Sequence, residues 1–148
     1  LEVSGPAQAT YSYGAPASEA TSTLNPASDD DVVVNTPTDY GNSYPVGQCT
    51  WGVKELAPWA SNWWGNANTW AIYASAQGYR VGDVPVVGAI AVWDGGEYGH
   101  VAYVTDVQSE NSIQVLEANY RRQKQIANYR GFFNPHEFLG KVTYIYPN

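Results

Sequence analysis

Apolar positions first fall into a regular pattern around residue 50. Cys49, Val53 and Leu56 recur at helical spacing, with Pro45 and Gly47 before them and Pro58 after, which predicts a short helix over roughly 49–57. A second helix fits NANTWAIYASAQG, with Asn66 or Asn68 as its cap and Gly78 as its C-terminal stop. The period then shortens. GAIAVW (88–93), HVAYVTDV (100–107), SIQVLEAN (112–119) and residues 142–146 read as strands. Helices followed by an antiparallel sheet predict an α+β domain. Residues 1–40, rich in Ala, Ser, Thr, Pro, Asp and Gly, show neither period and read as a flexible low-complexity linker or tail, with the domain occupying 41–148. Val32-Val33-Val34 is the one apolar run in that tail, and an edge strand is the alternative reading for it.

The central strands carry a geometric expectation. If Gln108-Ser109-Glu110-Asn111 joins them, Val107 faces Ser112, His100 sits opposite Asn119, and Glu117 pairs with Ala102. Glu117 then shares a face with His100, because side chains two apart on a strand point the same way. A slip of one residue would separate them.

Charge and composition narrow the picture. Of the formal charge of -7, residues 1–40 supply six acids and no base, so the domain holds eight acids against seven bases. That near neutrality leaves no basic surface for nucleic acid beyond one cluster, Tyr120-Arg121-Arg122-Gln123-Lys124 with Arg130 further on. No run of about eighteen apolar residues is present, so no membrane span is expected. No positively charged segment followed by an apolar stretch stands at Leu1, so any secretory signal is expected to have been removed or to lie outside these residues. A single Cys excludes an internal disulfide and leaves a free thiol to explain.

One explanation is catalytic. The amino end of a helix favours the thiolate of Cys49, an imidazole such as His100 can take its proton, and a third polar group, Glu117 or Asn119, can fix the imidazole tautomer. Each residue also has a plainer reading: Cys49 as a small buried hydrophobe, His100 as a strand-end residue, Glu117 as a solvated strand position, and Asn119 as a turn residue. His136 is the only competing base, but Asn134-Pro135-His136-Glu137 reads as the cap and first turn of a short helix.

YPVGQCTW, WWGNANTWA, GAIAVW, YGHVAYV and LEANY together resemble the CHAP domain, the cysteine- and histidine-dependent amidohydrolase/peptidase family related to NlpC/P60 and more distantly to papain. The staphylococcal secretory-antigen type, with a low-complexity segment ahead of the domain, is the nearest resemblance, and it covers roughly residues 44–146. It implies a papain-like α+β fold and cleavage of bacterial peptidoglycan outside a Gram-positive cell, by a wall-associated protein expected to be a monomer. Carried onto this sequence, Cys49 is the nucleophile, His100 the base, Glu117 the residue orienting the imidazole, and Asn119 a further polar support. The backbone N–H of Cys49, and less strongly the Gln48 side chain, would hold the oxyanion. The bond cut is expected to be that of an N-acetylmuramoyl-L-alanine amidase. A stem or cross-bridge endopeptidase and a non-catalytic wall-binding antigen are the alternatives. No cofactor or metal is expected, since Asp29, Asp30 and Asp31 lack the alternating ligand spacing of a calcium loop. Trp51, Trp63, Trp64, Trp70, Trp93, Tyr98 and Tyr120 are candidates to line a substrate groove, though only one or two of the Trp residues should escape the core. The basic cluster could face anionic wall groups or simply solvent.

Overall fold

The computed structural model describes residues 41–148. The expectations for the acidic tail, for Val32–Val34 and for Asp29–Asp31 lie outside those residues. Within them, helix α1 (Cys49–Leu56) opens the domain, a 3-10 turn (Ala67–Thr69) leads into α2 (Trp70–Ala76), and five strands follow. These are β1 (Val81–Gly82), β2 (Ile90–Trp93), β3 (His100–Ser109), β4 (Ser112–Leu116) and β5 (Val142–Ile145), and they form one sheet in the order β1-β5-β2-β3-β4. Every pairing in it is antiparallel. The α+β architecture read from the sequence is the one observed.

Both faces of the sheet are covered. On one side α1, α2 and the connection between them bury Val53, Trp64, Trp70 and Ala74 against Ile90, Val92 and Val101. On the other, Trp93, Ala102, Val104 and Ile113 pack beneath Phe133, Phe138 and Leu139 from the segment that precedes β5. Trp64, Trp70 and Trp93 are buried almost completely. Each takes roughly 150–250 Å² out of water, worth about 4–6 kcal/mol at ~25 cal/mol per Å².

The hairpin differs from its predicted form at one end only. β3 continues to Ser109, which pairs with Ser112, and Val107 faces Ile113 rather than Ser112. Glu110-Asn111 alone make the turn, and register shifts at 104/106 and 107/109 absorb the extra residues. Beyond them Val104 faces Val115 and Tyr103 faces Leu116, which is the register predicted for the His100 end. The two-residue β1 was not foreseen, being too short for any period. Two glycines admit close approaches. Gly99 (φ 75°) brings the chain so near the 3-10 turn that a Cβ would lie 2.6 Å from the Asn68 nitrogen. A Cβ on Gly52 would lie 2.9 Å from the Ala118 methyl, so α1 rests directly on the segment that follows β4.

Candidate active site

β2 and β3 place Trp93 opposite His100, and the predicted register at that end brings Glu117 onto the same face. Both His100 and Glu117 are completely buried. His100 Nε2 lies 2.9 Å from Glu117 Oε1. A carboxylate only accepts, so Nε2 carries the hydrogen, and in the neutral ring Nδ1 is the basic nitrogen. Burial pulls the His100 pKa below its ordinary value, and the positive charge of Arg130 adds to this. Together they outweigh the opposing pull of Glu117. Burial pushes Glu117 upward, but hydrogen bonds from Arg130 and His100 more than offset that, and its pKa is lowered. At neutral pH the pair is therefore a carboxylate and a neutral imidazole.

The helix layer supplies the thiol. Cys49 is the first residue of α1 and is buried, and α1 packs against β3. Gln48 occupies the N-cap position with extended backbone but makes no side-chain cap, and its side chain is largely buried. The amides of a first helical turn have no acceptor within the helix, so the N–H of Cys49 belongs to the class of donors that can serve an incoming oxygen. Beside this helix start the chain leaves β4 through a strained turn. Asn119, Arg121 and Arg122 all have positive φ, and Tyr120 and Gln123 exchange backbone hydrogen bonds across it. Lys124 donates to Asn119 Oδ1 at 2.8 Å, while its aliphatic stem lies against Gly47. Asn119 Nδ2 is a buried donor without a hydrogen-bond partner among the described residues.

The sequence profile of the CHAP domain matches residues 39–119, more than half of the chain. The chain belongs to the CHAP domain family. A protein of Streptococcus mutans serotype c named "Putative hydrolase" is 59% identical to this CHAP chain over 109 residues, covering 72% of the chain and 52% of its own length. The staphylococcal secretory antigen SsaA of Staphylococcus epidermidis is 42% identical over 113 residues, covering 76% and 44%. The chain thus spans about half the length of these relatives. The crystal structure of an N-acetylmuramoyl-L-alanine amidase from Staphylococcus aureus matches its fold with a TM-score of 0.59 at 31% identity, over 71% of this chain and 31% of that one.

Within the CHAP domain, several residues expected at a groove are elsewhere. Trp64 and Trp93 are core residues, their indole N–H groups donating to Gln77 Oε1 and to the Pro135 carbonyl. Trp70 is buried as well, so aromatic content did not predict exposure here. Trp51 is half-buried against the helix-side core, Tyr98 is half-buried, and Trp63 is exposed. Tyr120 is half-buried and stacks on Tyr129. His136 is exposed in a 3-10 turn (Pro135–Glu137), and Asn134 accepts from its backbone N–H, as its sequence context predicted. The largest departure is Arg130. Grouped by sequence with the basic cluster, it is instead a buried partner of Glu117, donating from Nε to Oε2 at 2.9 Å and from a terminal nitrogen to Oε1 at 2.6 Å. Only an unpaired buried carboxylate, which needs a cation, could have signalled it. Among the described residues no three His, Cys, Asp or Glu side chains cluster as metal ligands, and no helix is long and apolar enough to cross a membrane.

Proposed function

We propose that this CHAP domain hydrolyses amide bonds in bacterial peptidoglycan, with Cys49 as nucleophile, His100 as base and acid, and Glu117 orienting the imidazole. The observation that carries this reading is the buried 2.9 Å His100–Glu117 hydrogen bond, made on the strand against which the thiol-bearing helix packs. Nδ1 of neutral His100 takes the Cys49 proton, and the thiolate attacks the carbonyl carbon while the C=O electron pair moves to oxygen. The N–H of Cys49, with Gln48, meets that oxyanion, and Asn119 Nδ2 is a further donor nearby. The C–N bond then breaks as the imidazolium returns its proton to the departing amine, leaving a thioester on Cys49. Water deprotonated by His100 cleaves the thioester, and acid product and free thiol result. Glu117 remains ionised throughout and stabilises the imidazolium.

The bond we assign is that between the muramic acid lactyl group and L-alanine, supported by the fold likeness to the staphylococcal amidase. The relative named a secretory antigen supports an extracellular, wall-associated setting. Digestion of purified peptidoglycan by the wild type and by Cys49→Ala, with mass spectrometry of the fragments, tests the reading. Wild-type release of free L-alanine amino ends, abolished in Cys49→Ala, is the expected result. Fragments with cut stem peptides would make the domain an endopeptidase, and no release from any wall type would make it a wall-binding protein.

A further inference from the structure

Arg130 comes from the irregular segment that crosses the sheet face opposite the helices, returned toward β4 by bridges of Glu117 to Ala127 and Ile113 to Phe133. Its guanidinium carbon lies 4.0 Å from the Phe138 ring centre, 4.1 Å from that of Phe133, 4.2 Å from that of Tyr120 and 5.5 Å from that of Trp93. This aromatic cage leaves the side chain 8% exposed and aims both donors of the fork at one carboxylate. Arg121, Arg122 and Lys124, by contrast, are exposed and pair with no carboxylate among the described residues.

We propose that Arg130 is a positioning residue for the reaction: its fork fixes the rotation of Glu117 so that Oε1 faces His100, and it supplies the countercharge that holds Glu117 as a carboxylate. The proposal rests on the function given above. Two features make the fork more than a structural pair. Oε1 accepts from both His100 and Arg130, so the carboxylate cannot turn about its axis without losing one of them. The cage also excludes water, which leaves Arg130 as the close countercharge for a carboxylate that burial would otherwise protonate. A protonated Glu117 would turn an O–H toward one of these donors and would lose the charge that stabilises the imidazolium. The charged and titratable groups that act on the dyad among the described residues are Arg130, bonded to Glu117, and Tyr129, whose phenol feels the Glu117 charge; both come from the crossing segment.

The test combines an NMR titration of the His100 Cε1–H resonance with kinetics on peptidoglycan, for the wild type, Arg130→Gln and Arg130→Lys. Exposed His136 supplies the reference signal, and thermal melts establish that each variant is folded. Without the cation, burial favours the protonated carboxyl of Glu117, which removes the anion that raises the His100 pKa. In Arg130→Gln the His100 midpoint should therefore fall by at least roughly half a unit, and the pH–rate profile should move to lower pH with it. A fall in kcat of at least about tenfold, with KM within about twofold, should accompany the shift. Arg130→Lys keeps the charge but not the fork, so its profile should stay near wild type while kcat falls. A folded Arg130→Gln protein with an unmoved His100 midpoint and unchanged kcat would overturn the inference. If that variant does not fold, wild-type kcat in Arg130→Lys does so instead. An inactive wild type would defeat the proposed function alone, because the titration reads the dyad without substrate.

Discussion

Replacing Glu117 by Gln removes one charge from a cluster that is closed to water. The amide oxygen of Gln still accepts, but its NH₂ group opposes whichever donor it meets, Arg130 or His100. Of the three contacts at 2.9, 2.9 and 2.6 Å, at least one is lost. More important, the Arg130 guanidinium remains in its cage with no anion. Breaking a buried pair by deleting one partner typically costs about 3–5 kcal/mol, well above the ~1 kcal/mol of an ordinary hydrogen bond. At about 4 °C per kcal/mol for a domain slightly over 100 residues, melting should fall by about 12–20 °C. Urea titration of the wild type, Glu117→Gln, Arg130→Met and the double variant measures both the loss and the coupling. The double variant should cost less than the two single losses combined by at least about 1 kcal/mol, since it leaves no orphaned charge. A Glu117→Gln loss below ~1 kcal/mol, or strict additivity, would refute the description of the cluster as a desolvated ion pair.

Stability should also depend on pH in a defined direction. His100 has a folded pKa below its ordinary 6.5, chiefly through burial, so the unfolded chain binds that proton first and stability falls as pH drops below about 6.5. Glu117, raised by burial but lowered further by Arg130 and His100, adds a second loss as pH falls from about 4.5 through its folded value. A urea midpoint that stays flat from pH 7 to pH 4 would contradict both shifts. Gly52→Ala would ordinarily gain about 1 kcal/mol of helix propensity. Here the new methyl meets Ala118 at 2.9 Å, so an overpacking cost of about 1–3 kcal/mol should win and kcat should fall roughly tenfold as α1 is displaced. Urea melts together with wall-digestion rates check that sign. Lys54→Met should cost about 1–3 kcal/mol by urea titration, because the buried ammonium donates to the carbonyls of Pro58 and Ala60.

The periodic parts of this chain could be read before the fold was known. The spacing of Cys49, Val53 and Leu56 defined α1, and Gly78, with φ near 100°, stops α2 as its sequence position implied. The His100–Glu117 face emerged correctly because two register shifts cancel the longer loop that was assumed. Arg130 escaped for the opposite reason. The segment carrying it has no hydrophobic period, only isolated bridges, and its place is set by packing over Trp93 and Phe138. Trp64 and Trp93 show the same limit from the other side, since an indole has the same composition whether it lines a groove or fills a core.

The two halves of the proposed reaction centre are built by different layers of the domain. Cys49 belongs to the packing between helices and sheet, whereas His100, Glu117 and Arg130 depend on the aromatic packing of the opposite face. A chain that has collapsed on one side only therefore has a thiol without its base, or a base without its thiol. On the proposed function, competence to cut amide bonds arrives only with the last layer to consolidate, so a partly folded copy carries no hydrolytic activity.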